Sequence, residues 1–382
     1  MCAKKPETEA ELANCITSAT GPLRVRGGGT RPIGHISAGA SGGDVLDTTA
    51  LSGVTLYEPG ALTIVAQAGT PLSEIEAVLA AENQRLPFEP MDHRALLGTD
   101  GEPTIGGVVA GNVSGPRRVQ AGACRDYLLG VRYVDGLGQV IKNGGRVMKN
   151  VTGYDLVKLM AGSWGTLGVL TEVSLKVLPC PDTAATIVVD GASDADAVAA
   201  MSAALGSPYE VTGAAHLPRG AQGAPMTALR IEGFEKSVAY RAEELSSLLK
   251  RFGPVRQMRD VAEVDAFWRR VRDVTDFQDV AGDVWRISVK PSDGPDVVAR
   301  AQADGVVYDW GGGLVWVCVP AGTDLRARIG AFDGHATLIR ASAETRAQIP
   351  TFQPEAPALA AISAGLRAKS DPRGVFNPGL MA

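Results

Sequence analysis

The chain has 382 residues, 45% of them hydrophobic, which exceeds what one ordinary domain buries and predicts at least two cores. Charged residues make up 21% and the formal net charge is -5, so the basic surplus that a nucleic-acid binder needs is missing. No apolar run approaches the roughly 18 residues of a membrane span, and the opening MCAKKPETEAELANC lacks the apolar centre of a secretory signal, so a cytoplasmic protein is expected.

In chain order, Glu7 to Thr17 reads as a short helix, and PLRVRGGGTR as a strand running into a glycine turn. LTIVAQAG alternates as a strand, after which Thr70 is expected to cap a helix with Pro71 at its first position and Leu72, Ile75, Val78 and Leu79 along one face. YLLGVRYVDGLGQVI places two strands around Asp135-Gly136-Leu137-Gly138. GSWGTLGVLTEVSLKVLP ends in an alternating strand, with Val169, Thr171, Val173, Leu175 and Val177 on one face and prolines 179 and 181 as its stop. A domain boundary is expected there, giving units at 1–181 and 182–345. The second unit alternates strands and helices, with Leu245, Leu248, Leu249 and Phe252 as one helical stripe, and reads as an α+β sandwich of the ferredoxin-like kind. The segment 346–382, a helix followed by a Pro/Gly-rich end, is expected to return to the first unit.

The 46 glycines exceed the average usage of about 7% and concentrate before residue 180. RGGGT (26–30), PTIGGVVAGNVSG (103–115) and GSWGTLG (162–168) are the glycine-rich segments, and glycine lets backbone N–H groups crowd round an anion without a Cβ in the way. Neither GxGxxG after the first strand nor GxxxxGK[ST] occurs, so a Rossmann fold and a P-loop are unsupported. What remains is a phosphate-bearing dinucleotide on another fold. The five cysteines, Cys2, Cys15, Cys124, Cys180 and Cys318, are scattered without CxxC spacing, and the four histidines, His35, His93, His216 and His335, lie at no ligand spacing, so no metal is expected.

RGGGT, TIGGVVAGNVSGPRR, GRVMKNVTGYDLVKLMAGSWGTLGVLTEV and the terminal DPRGVFNPG resemble the FAD-binding domain of the vanillyl-alcohol oxidase and p-cresol methylhydroxylase (PCMH) family, and within it the flavin subunits of bacterial glycolate oxidases. The likeness is near-continuous over residues 23–179 and returns in VWRISVKP, YDWGGG and HATLIRA. It implies an α+β protein: a two-subdomain PCMH-type FAD domain with a ferredoxin-like cap over the flavin ring. Its implied role is oxidation of glycolate, or another short 2-hydroxy acid, alongside a catalytic flavin subunit and an iron–sulfur subunit, with any membrane association made through those partners. Carried over residue by residue, Arg26, Gly27, Gly28, Gly29 and Thr30 would hold the FAD pyrophosphate. Thr104, Gly106, Gly107, Asn112 and Ser114 would line its other side, Gly165, Thr166, Gly168 and Val169 would close over the adenosine and ribityl part, and Asn377 would approach the ring. Many members attach the flavin through a histidine in or after the first glycine loop. Thr30 stands there and His35 follows Arg31, so noncovalent FAD is expected.

The catalytic hydroxy-acid dehydrogenases of this family hold several cap histidines and a glutamate, a set this chain lacks. Two alternatives to the complex therefore stay open: a self-sufficient FAD oxidase of alcohols or 2-hydroxy acids, and an assembly subunit whose FAD is structural. Arg286 and Arg340 sit between apolar residues on presumed strands, where a guanidinium needs either an Asp or Glu partner or a substrate carboxylate. Lys149 and Tyr154 are candidate polar groups near the flavin, and Trp310 and Trp316 are expected in the core.

Overall fold

The computed structural model describes residues 3–34, 43–146, 153–220 and 223–381, so Cys2, His35 and Lys149 lie outside the described residues. A three-stranded parallel sheet, in the order Ala3–Lys4, Asp44–Asp47, Leu23–Arg26, opens the chain. The helix Glu9–Thr17 packs on it: the Thr8 side chain accepts from the Glu11 N–H at its start, and Leu12 and Ile16, one turn apart, are buried. The tail closes this unit, since Leu23 N donates to Val375 O and Asn377 N donates to Leu23 O, which seats Val375 and Phe376 in the same small core.

The second layer is a five-stranded antiparallel sheet, ordered Val54–Glu58, Thr63–Gln67, Val169–Lys176, Leu128–Val134, Val140–Gly144. Its central strand is buried on both faces rather than on the one that alternation suggested. Val169 belongs to the first core with Val134, whereas Leu170, Val173 and Leu175 belong to the large core beyond it. The helix Leu72–Ala81 buries Leu72, Ile75 and Leu79 as the periodicity required, but Pro71 holds its N-cap position. Thr70 does not cap it. Its hydroxyl accepts from Gly53 N and donates to Gln67 O, tying two loops together.

Residues 183–340 supply an eight-stranded antiparallel sheet. Its order is Val255–Met258, Thr183–Asp190, Met226–Gly233, Gly213–Leu217, Gly305–Asp309, Leu314–Val319, Asp283–Val289, Gly334–Arg340. This is two βαββαβ units in tandem, each with its own 4-1-3-2 strand order, joined edge to edge where His216 pairs with Tyr308. The helices Asp194–Leu205, Glu235–Leu249, Gly294–Ala301 and Leu325–Ile329 share one core on this sheet. Helix Val261–Asp273 buries Val264, Phe267, Trp268 and Val271 in another.

Phe277, Val284, Leu314 and Trp316 from this second unit pack with Leu86, Phe88 and Ile105 from the first in one continuous core. Beside that core, Arg117 and Arg230 each pair with both Glu89 and Glu232, and Arg85 pairs with Glu232. Although burial works against ionisation, Arg230 and Arg117 hold both glutamates below the ordinary carboxylate range. A buried network of this kind fixes the angle between the units, because separating them would strand charges out of water.

Candidate functional site: a glycine-walled cleft and an arginine patch

A cleft enclosing about 800 Å³, part of it open to solvent, lies between the two sheets of the first unit, within the size range of cofactor sites at roughly 300–1,000 Å³. Arg26, Gly27, Gly28, Gly29, Thr30, Thr104, Gly106, Gly107, Gly165, Gly168 and Val169 line it, so the structure brings most of the carried-over residues to one wall. Asn112, Ser114, Thr166 and Asn377 are not on that lining. The Asn112 carboxamide accepts from Arg125 N, and Ser114 Oγ accepts from Cys124 N. Thr166 donates to Ser163 O, and the buried Asn377 side chain accepts from Val25 N and donates to Trp164 O. Asn377 thus clips the strand Leu23–Arg26 to the 163–165 turn.

The glycines do not all serve a ligand. A Cβ on Gly28 would stand 1.6 Å from the Glu102 carbonyl oxygen, and one on Gly101 would stand 1.7 Å from the Gly28 oxygen. The loop is therefore packed against a second backbone segment. A Cβ on Gly27 would meet Thr104 Oγ1 at 2.4 Å, one on Gly106 would meet Ala68 at 2.7 Å, and Gly29 needs glycine for its φ of +72°.

What this packing leaves open is the amide edge of the loop. Among the described residues no acceptor takes the backbone N–H of Gly27, Gly28, Gly29 or Thr30, so four successive donors border the cleft. Two polar side chains on the lining are likewise unused. Ser163 Oγ is buried without a partner, and Arg31, which is not among the residues the resemblance carried over, has no hydrogen bond or ion pair among the described residues. Burial lowers Arg31 to about 10. Such a donor set suits a diphosphate, and these residues would hold the one in FAD. Trp164, in the left-handed region at φ +52°, and Gly111 complete the wall.

Next to Arg31 the second unit meets the first in a patch built from both, with His93 and Arg118 from the first and Arg286 and Trp310 from the second. Burial, then Arg31, drives His93 down to about 3, and Arg286 also acts on it, so His93 is neutral between two guanidiniums. Arg286 lies over the Trp310 ring at 5.1 Å and Arg118 lies over it at 4.4 Å. Trp310, expected in the core, is instead half-buried, its indole N–H donating to Gly115 O of the first unit. Trp316 is core. Burial, and after it the charge of Arg118, lowers Arg286 to about 10. Among the described residues no hydrogen bond or ion pair engages the side chain of Arg286 or Arg118; Asp309 acts on Arg286, and Asp126 on Arg118, without direct contact. Asp309, which caps the turn by accepting from Trp310 N at 2.7 Å, is pushed up to about 7 by burial and by Glu89, against the pull of that hydrogen bond and of Arg230 and Arg286.

The other two catalytic candidates fall away. Arg340 donates through both terminal nitrogens to the carbonyls of Leu96, Phe277, Gln278, Val280 and Gly282, so its guanidinium staples the last sheet strand to neighbouring backbone. Tyr154 is 88% exposed. Among the described residues no group of three or more His, Cys, Asp or Glu could hold a metal ion, and no helix is long and apolar enough to cross a membrane.

Comparison with known proteins agrees with this geometry. Residues 2–144 match the family model described as an FAD binding domain. The chain is 36% identical to glycolate oxidase subunit GlcE of Escherichia coli K12 over 341 residues, covering 89% of this chain and 87% of that one. It is 32% identical over 186 residues to glycolate oxidase subunit GlcD of Bacillus subtilis, and 32% identical over 168 residues to a D-lactate dehydrogenase of Anaerostipes hadrus. Those two matches take in 48% and 44% of this chain but only 38% and 33% of the relatives. A solved alkyldihydroxyacetonephosphate synthase has the same fold, with a TM-score of 0.71 at 15% identity over 98% of this chain and 76% of that one.

Proposed function

Because this chain belongs to the family of glycolate oxidase subunit GlcE, we propose that it is an FAD-binding oxidoreductase subunit of a glycolate oxidase-type complex, converting glycolate or another short 2-hydroxy acid to the 2-oxo acid and passing the electrons on. The observation that carries the reading is the pair of guanidiniums at Trp310: two half-buried cations that make no direct ion pair among the described residues, beside a cleft bordered by four amides for which no described residue is an acceptor. Bound FAD would supply the two-electron acceptor. The N–H groups of residues 27–30 and Arg31 would hold its diphosphate noncovalently, Thr30 standing where relatives of this fold place an attaching histidine. Arg286 and Arg118 would hold the substrate carboxylate, Trp310 and the paired-charge network keeping both aimed and half-dry. Neutral His93 leaves the patch without a third positive charge. We divide the chain accordingly into an FAD unit, residues 1–181, a cap, 182–345, and a returning segment, 346–382. A catalytic flavin subunit and an iron–sulfur subunit are the partners this reading calls for, in the cytoplasm.

The test is purification of the chain with and without its partner subunits, followed by flavin content and anaerobic bleaching with glycolate and D-lactate. Bound FAD released by acid, with bleaching that is fast only in the assembled complex, is expected. Rapid bleaching of the chain alone would make it a self-sufficient oxidase. FAD that never bleaches in either preparation would make it an assembly subunit.

A further inference from the structure

The helix Pro357–Ser370 is built the wrong way round for the surface of a single chain. None of its residues is buried. The positions it half-buries against its own protein, Ala360, Ser363, Arg367 and Ser370, are small or polar. Its large apolar side chains form a stripe at the spacing of one helical face, and they point outward: Leu359 is 58% exposed, Ile362 62% and Leu366 37%. A helix of 14 residues is marginal in water without apolar packing, and the inward face of this one supplies little.

Further exposed apolar side chains stand at the C-terminal end of the helix. Gly136 N donates to Ser370 O at 2.9 Å, which sets the turn 135–138 at the end of the helix, and Leu137 and Val140 there are 48% and 45% exposed. The edge of this surface is basic. Arg367 and Lys369 are the charged residues of the helix, Lys142 stands on the adjoining strand, and Glu355, just ahead of the helix, accepts from Ser363 Oγ.

We propose that this helix and the 135–140 hairpin are the surface on which the chain docks a second, different subunit of its complex, one presenting an apolar face edged with carboxylates. This rests on the reading of the chain as a subunit. A second copy is the poorer occupant, since its matching surface brings the same arginine and lysines. A lipid surface is poorer too, since the stripe has no aromatic anchor.

The test is co-expression of the full chain with the GlcD-type flavin subunit and iron–sulfur subunit of the same complex, read by size-exclusion chromatography, flavin content and melting. Ile362→Glu/Leu366→Glu should lower recovery of the heteromer at least tenfold with FAD content and melting unchanged, because neither residue is buried. Lys369→Glu should weaken the heteromer several-fold, and Phe234→Glu, at a site 74% exposed on the cap, should leave it intact. A heteromer indifferent to both the double substitution and Lys369→Glu overturns the proposal while the complex stands. So does a homodimer, or binding to anionic phospholipid vesicles, that the double substitution abolishes. A wild-type chain that forms no heteromer refutes the subunit reading itself, and the docking surface with it.

Discussion

Replacing Gly28 by alanine separates two explanations of the RGGGT loop. If glycine is there to let a diphosphate approach, a Cβ should weaken FAD binding and leave the flavin-free protein untouched. The structure requires the opposite order of events. The added Cβ would lie 1.6 Å from Glu102 O, and reaching even 3.0 Å demands that the loop and the 101–102 segment part by 3.0 − 1.6 = 1.4 Å. Close-packed interiors yield to such displacements at about 1–3 kcal/mol or more, which for a unit of this size lowers the melting midpoint by about 3–10 °C. The loss should appear in deflavinated Gly28→Ala protein by calorimetry, and FAD affinity, read by fluorescence titration, should fall because the four amides move with the loop. Gly29→Ala is the control. Its nearest heavy atom would be Arg26 Cδ at 3.6 Å, so it incurs only the left-handed backbone cost of about 1–2 kcal/mol. Deflavinated Gly28→Ala that melts like wild type while binding FAD poorly would refute this account.

Arg286→Lys should keep full FAD content and normal melting but reduce 2-hydroxy-acid turnover of the assembled complex about 10- to 100-fold, the equivalent of a lost charged hydrogen bond of about 1.5–3 kcal/mol; unchanged turnover would remove Arg286 from the substrate site. Arg340→Lys should do the reverse, lowering the melting midpoint with kinetics per folded complex preserved, because its fork spans five carbonyls. Glu232→Gln should destabilise the protein by about 3–5 kcal/mol by taking from Arg85 its carboxylate partner and leaving Arg117 and Arg230 to share Glu89, checked by denaturant unfolding. Glu89 and Glu232 have depressed folded pKa values, so their stabilisation is present above the unfolded value of about 4.3 and is lost as pH falls below it, whereas Asp309, raised to about 7, favours the fold at low pH and loses that contribution as pH rises through about 7; Asp309→Asn should flatten the neutral limb of a stability–pH curve.

The parts of the fold legible in the sequence were those set by local chemistry. The stripe of Leu245 and Leu249, the hairpin at Asp135–Gly138 and the glycine loops announce themselves within a dozen residues. The tandem βαββαβ repeat was invisible because its halves share a strand order and no residue pattern. Gly28 was readable as a close approach but not what approached it, since Gly101 lies far along the chain and nothing local marks the pair. Asn377 was read as a flavin contact from its motif, whereas its side chain is consumed in holding Val25 to Trp164. Nothing local marks Arg31 or Arg118, because an arginine beside a glycine-rich stretch looks solvated until distant elements, the cleft wall for Arg31 and Trp310 for Arg118, close on it.

Arg117 and Arg118 bring that last point to a single peptide bond. They are neighbours in a stretch that meets the cap. Arg117 turns into the paired network and is neutralised there by Glu232 and Glu89, and Arg118 turns to the Trp310 ring and makes no ion pair among the described residues. Arg118, Arg286 and Arg31 make no such ion pair among the described residues, although Asp126, Asp309 and Asp92 act on them without direct contact. A guanidinium withdrawn from water without a direct partner costs folding free energy, and burial is the main cause that lowers Arg31 and Arg286 to about 10. That cost is offset when anions arrive: a diphosphate at Arg31 and the amides of residues 27–30, and a carboxylate at Arg118 and Arg286.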